Sequence, residues 1–557
     1  GTLRQAILDS DAAPTPDFIQ FDPSLFTSGP KTINLASALP SITDDLTVTG
    51  PGSGLLSLGS GMIQVADNPF RTVEVTGLTL GGIYAGTGSF TLLDSMVRGG
   101  SGIQVGGGGF LTVKRSTITG AKSTGSGGGI AFAGNNSIGG SLDLEDSTIA
   151  GNSAAGIGGG IFFYGNVGAG GFTISNSTIV GNTGGTFGGG IGTSYAHGTF
   201  VIRNSTITGN TAINPNGSNR YGGGGLGVDY PGPTTFVIQS SIIALNTATN
   251  GPDVLVDGGY GSFVTTVDHS LIGVQPTGTF SSVGWANNLI GNLGFPADPK
   301  LAPLGNYGGP TQTMALLAGS PALNAGSNPG NVATDQRGVP RTIGPAPDIG
   351  AYEYQPITVA NVQVNDGSLQ RSEVKSITVS FSGPVSFANG NAAAAFQLTH
   401  VQTGNNVVLS AAISTDSQGR TVVTLGFSGS ETDPVSALNG GTASLADGRY
   451  QLTILGAAVS DAALGWALDG NADGTPGGNY VSPTDTYHGP GLHLYRLFGD
   501  VNGDGVVDAS DLGLLRSTFN ANQSQANYLA YLDADNSGAV DVGDLGQFRS
   551  RFNANVF

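Results

Sequence analysis

A unit of about thirty residues recurs along the first half of the chain, and it constrains the fold more than any other feature. S-T-I triplets begin at Ser116, Ser147, Ser177 and Ser205, with weaker versions at Ser241 (SII) and Ser270 (SLI). Their spacings are 31, 30, 28, 36 and 29 residues. A second marker, GGGI or GGGL, ends at Ile130, Ile161, Ile191 and Leu226, at spacings of 31, 30 and 35. The two markers drift together, so one supersecondary unit repeats. Degenerate copies precede them, as LLDSMVRGG around Ser95 and VTGLTLGG around Gly77.

Each unit holds short alternating runs such as FTIS and STIV between Gly/Asn turns, without a helical period. This size and pattern fit the coils of a right-handed parallel β-helix. One coil cannot bury its own inward side chains, so stacking has to supply the core. Ile118, Ile149, Ile179, Ile207 and Ile243 are therefore expected one above another. Asn152, Asn182, Asn210 and Asn246 follow at equivalent turn positions. Asn tolerates left-handed backbone there, and stacked amides hydrogen-bond along the axis. The Gly runs are expected to supply positive-φ bends and close approach between coils. Open ends of a parallel stack invite edge pairing. Residues 3–8, an amphipathic helical pattern, are the expected lid at one end, and a non-repeating block that closes near residue 355 lies at the other.

Composition agrees with a turn-dense, mainly β chain. Glycine supplies 95 of 557 residues, and charged residues are 10% against the usual ~25%. The 38% hydrophobic content argues against disorder. The absence of cysteine excludes disulfides, thiolate metal sites and cysteine nucleophiles. With 38 acidic and 20 basic residues, no basic stripe is available for phosphates, which excludes nucleic-acid binding. An acidic surface suits calcium instead. No apolar run is long enough to span a membrane. The opening residues show no signal-peptide pattern, and Gly1 is expected to be a processed or trimmed N-terminus.

The opening GTLRQAI with LPSITDDLTVTGPG, the GN(S/T)…GGGI coils, and the block ADPKLAPLGNYGGPTQTMALLAGSPALNAG with TDQRGVPRTIGPAPDIGAYEY carry a resemblance. They resemble the pectin-lyase-like β-helix domain of large bacterial surface proteins with a choice-of-anchor closing segment, over residues 1–355. The resemblance implies bacterial, extracellular or cell-surface residence and no single activity.

Polysaccharide-cleaving β-helices need clustered carboxylates and a nearby basic residue. The repeats hold one acidic cluster, Asp143, Glu145 and Asp146, with Lys114 and Arg115 one coil earlier. These three carboxylates are the candidate catalytic residues. Solvent-facing ion pairs between coils are the simpler account of them. His197 lacks the paired aspartates and Gly-His-Gly signature of polygalacturonases and reads as structural. Tyr164, Tyr195, Tyr221 and Tyr230 either line a sugar-binding face or fill turns. In the closing block, Asp335, Arg337, Arg341, Asp348 and Glu353 read as Arg–carboxylate forks that pin a cap.

From residue 356 the glycine density falls. ITVANVQVND, SITVSFSG, TVVTLGF and RYQLTILG alternate with period two, which predicts an immunoglobulin-like β-sandwich over residues 356–498. Within it Asp469, Asn471 and Asp473 stand at i, i+2 and i+4 before Gly474. That is the first half of a calcium loop or a polar Asx-turn.

Residues 499–557 carry the sharpest chemistry. DVNGDGVVDASD, residues 500–511, matches a twelve-residue EF-type loop. Its oxygen ligands would be Asp500, Asn502, Asp504, Asp508 and Asp511, with the Val506 carbonyl and a turn at Gly505. DADNSGAVDVGD, residues 533–544, repeats it 33 residues later with Asp533, Asp535, Ser537, Asp541 and Asp544, the Ala539 carbonyl and Gly538. Both loops end in Asp where EF-hands favour Glu. The segments DLGLLRSTFNAN and DLGQFRSRFNAN that follow are identical at nine of twelve positions, and no helix pattern precedes the first loop.

Paired loop–helix units of this kind resemble dockerin modules. The resemblance implies two Ca2+ ions, a third if the Asp469 loop also binds, and a cohesin-like β-sandwich partner. Family recognition positions would fall on Ala509, Ser510, Val542 and Gly543, which form no matching pair. The partner is therefore also sought in an Ig-like sandwich of this chain or of a second copy, and in cell-surface polysaccharide. The sequence points to a secreted, calcium-stabilised structural or adhesive protein, with assembly into a filament or sheath as one form. The alternative is a polysaccharide-active or sugar-binding protein attached through its dockerin.

Overall fold

The computed structural model describes residues 2–557 apart from 13–15, 68–69, 133–139, 215–216, 219, 258–262, 279–281, 284–286, 434–441 and 484–493. The chain forms two compact units, Gly1–Tyr354 and Gln355–Phe557.

The first unit opens with helix α1, Leu3–Asp11. Its N-cap Thr2 accepts a hydrogen bond from the Gln5 amide, and Leu3 and Ile7 turn into the core. Among the described residues, the rest of this unit up to Ile290 builds parallel sheets of 18, 11 and 4 strands. Each strand pairs with its counterpart one repeat away. Ile118, Ile149, Ile179, Ile207 and Ile243 are in register from strand to strand, as expected, and all are fully buried. A second inward column passes through Leu111, Leu142, Phe172, Phe200 and Phe236. The last three rings lie 4.7 and 4.8 Å apart. Burying one such side chain is worth about 1.5–3 kcal/mol, and the stacked columns give each coil the burial it cannot supply alone.

The asparagine ladder forms, but for one of the two reasons expected. Asn152 Nδ2 donates to Asn182 Oδ1 at 3.0 Å, Asn182 Nδ2 to Asn210 Oδ1 at 2.9 Å, and Asn210 Nδ2 to Asn246 Oδ1 at 3.0 Å. The ladder ends on Asp253 Oδ1 at 2.9 Å. The left-handed backbone falls on the residue before each of these four, at Gly151, Gly181, Gly209 and Leu245. A second left-handed column, through Asp94, Arg115, Asp146, Asn176, Asn204, Ser240 and His269, turns the chain out of the preceding strand. Beside it runs a serine ladder, in which the amides of Ser95, Ser116, Ser147, Ser177, Ser205 and Ser241 each donate to the next serine's Oγ.

The closing block does more than sit at the end of the repeats. It runs back along the outer face of the sheet that holds the S-T-I triplets. Thr148 Oγ1 donates to Gln312 O, Thr178 Oγ1 meets Thr313 and Gln336 at 2.9 and 2.6 Å, and Thr206 Oγ1 accepts from the Ala351 amide at 3.1 Å. Each letter of the triplet then has its own cause. The serine extends a ladder, the threonine of the triplets at Ser147, Ser177 and Ser205 is buried under the strap, and the isoleucine fills the core.

The second unit is antiparallel in its first part. One sheet has the order Val359–Val364, Ile377–Phe381, Thr421–Ser428, Val408–Thr415. The other centres on Gly448–Ile454, flanked by Phe396–His400, with Tyr480–Val481 and Tyr495–Arg496 also pairing to it. Alternate residues of both sheets, among them Val379, Phe381, Leu425, Leu398 and Leu452, share one core. A smaller core around Val507, Leu515, Val540 and Phe548 holds the C-terminal helical module.

Candidate metal centre

Two short helices follow the two acidic loops: α2, Ala509–Thr518, and α3, Val542–Arg551. Each starts at an aspartate N-cap, Asp508 or Asp541. Each capping box is closed by an aspartate at the third helical position, Asp511 or Asp544. The last residue of each loop is therefore also a helix-start residue, which fixes its carboxylate in place. After each helix the chain turns through a left-handed asparagine, Asn520 or Asn553. The FNAN tails then cross. Asn520 and Ala521 pair with Val540 of the second loop, and Asn553 and Ala554 with Val507 of the first. Each helix thus ends by bracing the loop of the other.

The first carboxylate of each loop is held in the same way. Asp500 Oδ1 accepts from the Gly503 amide at 2.7 Å, and Oδ2 accepts from the Gly505 amide at 2.9 Å and the Tyr495 hydroxyl at 2.7 Å. Asp533 Oδ1 accepts from the Ser537 amide at 3.0 Å, and Oδ2 from the Gly538 amide at 2.8 Å and the Tyr528 hydroxyl at 2.6 Å. Gly505 and Gly538 take φ of 80° and 90°, which the sixth-position turn requires. Sequence reasoning missed the two tyrosines. Their signal was present, because Tyr495 and Tyr528 lie 33 residues apart, the spacing of the loops themselves.

The twelfth-position carboxylates point inward too. Asp511 accepts from the Val501 and Asp508 amides, both at 2.9 Å, and Asp544 from the Ala534 and Asp541 amides at 2.6 and 2.7 Å. Asp500, Asp511, Asp533 and Asp544 are all buried. Burial pushes the pKa of Asp500 and Asp511 up. It pushes Asp544 up to about 6, with the Asp535 and Asp533 charges adding to the effect.

A divalent cation fits this donor set. Asp533, Asp535 and Asp544 each present an oxygen within 4.8 Å of the others, and hard oxygen donors are what calcium takes. A bound cation would also offset the desolvation that raises these carboxylates. In the first loop Asn502 stands in the place of Asp535, and its Nδ2 reaches Asp504 Oδ2 at 2.9 Å. Asp504 and the Val506 carbonyl lie along the same loop, as do Ser537 and the Ala539 carbonyl in the second, where Ser537 Oγ donates to Ala539 O at 3.1 Å. Asp508 and Asp541 spend Oδ1 on the amides of Ser510 and Gly543, each at 2.7 Å.

The third candidate reproduces only half of this geometry. Asp469 accepts from the Asp473 and Gly474 amides at 3.2 and 2.8 Å, and Asn471 Nδ2 donates to Asp473 Oδ2 at 2.8 Å. The twelfth position is Tyr480, so no carboxylate returns to the loop.

In the parallel unit, Lys114 Nζ lies 3.2 Å from Asp143 and 2.7 Å from Glu145, and so ties both carboxylates in one cross-coil ion pair. Asp146 sits in the turn beyond, where its carbonyl accepts from Thr311 of the closing block. Burial and the neighbouring Glu145 push its pKa up to about 7. Arg115 pairs back to Asp94 at 2.7 Å. Tyr164, Tyr195 and Tyr230 form a stack with centroids 5.7 and 5.3 Å apart, and Arg220 covers Tyr230 at 4.5 Å. Tyr195 and Tyr230 are near parallel and cover one face of each other, while Tyr195 remains exposed; Tyr221 takes no part in this stack. His197 is exposed on the strand next to Tyr195. In the closing block, Arg337 binds Asp335 and covers Tyr352 at 3.7 Å, while buried Arg341 donates to the carbonyls of Asp348 and Gly350. Glu353 accepts from the Ile343 and Asp348 amides. These charges pin irregular backbone.

No helix among the described residues is long and apolar enough to cross a membrane. No curated protein and no solved structure is significantly similar to the chain. Residues 498–553 match the family described as dockerin type I domain. Such domains bind calcium and cohesin domains and occur in extracellular or cell-surface proteins, which supports Ca2+ in the C-terminal module and a cohesin-like partner.

Proposed function

We propose that the chain is a secreted, calcium-stabilised, non-catalytic scaffold that is attached through its C-terminal module. The parallel stack is a right-handed β-helix of the pectin-lyase-like kind over residues 1–355. Residues 356–498 are an immunoglobulin-like sandwich that serves as a spacer. Residues 499–557 bind two Ca2+ ions through Asp500, Asn502, Asp504, the Val506 carbonyl, Asp508 and Asp511, and through Asp533, Asp535, Ser537, the Ala539 carbonyl, Asp541 and Asp544. The Asp469 loop is an Asx-turn and holds no third ion. The observation that carries this reading is the pair of loops with buried carboxylates inside the dockerin match.

Calcium supplies the positive charge that lets these carboxylates stay ionised and close together. The capping boxes, the tyrosine hydroxyls and the crossed tails hold the oxygens for it. The helices α2 and α3, fixed in this way, present a partner face to a cohesin-like domain. A titration of the full chain with a panel of cohesin domains, in calcium and then in chelator, tests this. Calcium-dependent binding is expected; equal binding in chelator, or none to any cohesin while a second copy of the chain associates, would replace the partner.

One observation favours a second reading. A groove of about 440 Å³ on the outer face of the stack brings Phe70 and Phe110 together with Thr112, Ser141 and Asp143. Apolar rings, hydroxyls and a carboxylate suit a saccharide. A polysaccharide retardation screen with Asp143→Ala and Phe110→Ala distinguishes a glycan-binding scaffold from a bare one.

A further inference from the structure

The helices α2 and α3 differ at three of the twelve positions of their repeated segment: Leu514/Gln547, Leu515/Phe548 and Thr518/Arg551. All three differences gather on one side of α3. Arg551 Nε binds the carboxylate of Asp447, and its Nη1 is held by Gln547 Oε1 at 2.9 Å. Asp447 belongs to the antiparallel part, where its other oxygen holds Arg496 Nη1 and the Phe498 amide, both at 2.8 Å. Phe548 packs against Gly499, where an added Cβ would lie 2.8 Å from the ring. The identical pairs Leu512/Leu545, Arg516/Arg549 and Phe519/Phe552, together with Leu515/Phe548, line an open groove of about 410 Å³ between the helices.

The opposite side of the contact is the loop of residues 366–373, between Val359–Val364 and Ile377–Phe381. The Arg371 amide donates to the carbonyl of Asp500, the first residue of the first loop, at 2.9 Å. Leu369 O leaves no room for a side chain at Gly503, where a Cβ would approach to 2.1 Å. Buried Ser372 touches both halves of the module. Its Oγ accepts from the Gly499 amide at 2.9 Å and donates to Tyr531 O at 2.7 Å. Tyr495, which holds Asp500, lies on a strand paired to Gly448–Ile454. Its counterpart Tyr528 lies inside the module.

We propose that residues 366–373 and Asp447 form a docking site for the module in cis, closed by calcium in the first loop. This rests on the calcium reading above. Ordering Asp500 around a cation fixes the carbonyl that Arg371 grips and the turn that Leu369 covers, so first-loop occupancy and docking reinforce each other. The second loop is braced by Tyr528 within the module and meets the docking site through Tyr531 and through Arg551 of α3. Docking engages Arg551 of α3 and leaves the groove between the helices open, so a partner meets the module in one orientation relative to the rest of this unit.

Hydrogen exchange on the full chain tests the proposal, with calcium binding measured in parallel by titration. In calcium, the amides of residues 366–373 are expected to exchange at least about tenfold more slowly than in chelator. With calcium saturating, Ser372→Ala and Arg551→Thr, the latter restoring the residue of α2, should each restore fast exchange there while α2 stays protected. Exchange at residues 366–373 that ignores both calcium and Arg551→Thr overturns the docking site, even if calcium binds. A chain that binds no calcium overturns the reading beneath it. Arg551→Thr lies on the surface of α3, so it remains informative should Ser372→Ala fail to fold.

Discussion

The parallel stack and the C-terminal module both arise from repetition, and they treat buried polar groups in opposite ways. In the stack, each buried asparagine or serine finds its partner in the copy one coil away, so a neutral ladder satisfies itself and extends with every repeat. In the module, repetition stops at two. The copies cross-brace through their FNAN tails, and each encloses buried carboxylates. The first solution needs nothing from solution. The second, on the calcium reading proposed above, depends on a cation to offset the desolvation of its carboxylates. On that reading one chain contains a part whose stability is internal and a part whose stability is conditional.

The largest effects that would sharpen this contrast are expected at the module. Asp511→Asn and Asp544→Asn each weaken a twelfth-position oxygen. Each should lower calcium affinity at its own loop by more than about 100-fold, beyond what losing a supporting residue costs. Calorimetric titration checks this, and an unchanged affinity would remove these residues from the site. In the stack, Ile179→Ala should cost about 2–5 kcal/mol through the cavity left in the column. Asn182→Ala leaves the Asn152 amide and the Ile149 carbonyl short of partners and should cost about 3 kcal/mol. Both losses should be the same in calcium and in chelator when read by denaturant unfolding. A calcium-dependent cost would break the contrast.

A smaller effect concerns pH. The Asp146 carboxyl, with an ordinary pKa near 3.8, is pushed up to about 7 in the folded stack. Between those values the folded state holds a proton that the unfolded state has released, so its contribution falls as pH rises and the penalty is complete above pH 7. Asp146→Asn removes the penalty and suits the left-handed turn that Asn176 and Asn204 occupy one and two coils on. The variant should therefore melt above the parent at pH 8 and close to it at pH 4. A difference of the opposite sign would show that the group is ionised and stabilised instead. The smallest effect belongs to Asp143→Ala, which should change stability by less than about 1 kcal/mol because its ion pair with Lys114 is half exposed.

Much of this was legible in the sequence, wherever the relevant interaction is local or repeats at the coil spacing. The isoleucine column and both acidic loops follow from spacing alone. What escaped depends on distant segments. Nothing near Thr148, Thr178 or Thr206 announces that residues 311–351 will cover them. The FNAN tails look like helix ends until their pairing with the other loop is seen. The left-handed turns were assigned to the ladder asparagines because Asn tolerates that backbone, yet the residue before each of them bears it and the amide serves the ladder. Tyr495 and Tyr528 were visible at the loop spacing but lie outside the twelve-residue pattern that directs attention to ligands.

The most direct test of the central claim is scanning calorimetry of the full chain in calcium and in chelator. Two transitions are expected, assigned by circular dichroism over the same melt: the one with the loss of helical signal moves down or disappears in chelator, while the one with the loss of β signal from the parallel stack stays in place. Transitions that both shift together, or neither of which responds to calcium, would contradict the division into a self-satisfied stack and a calcium-conditional module.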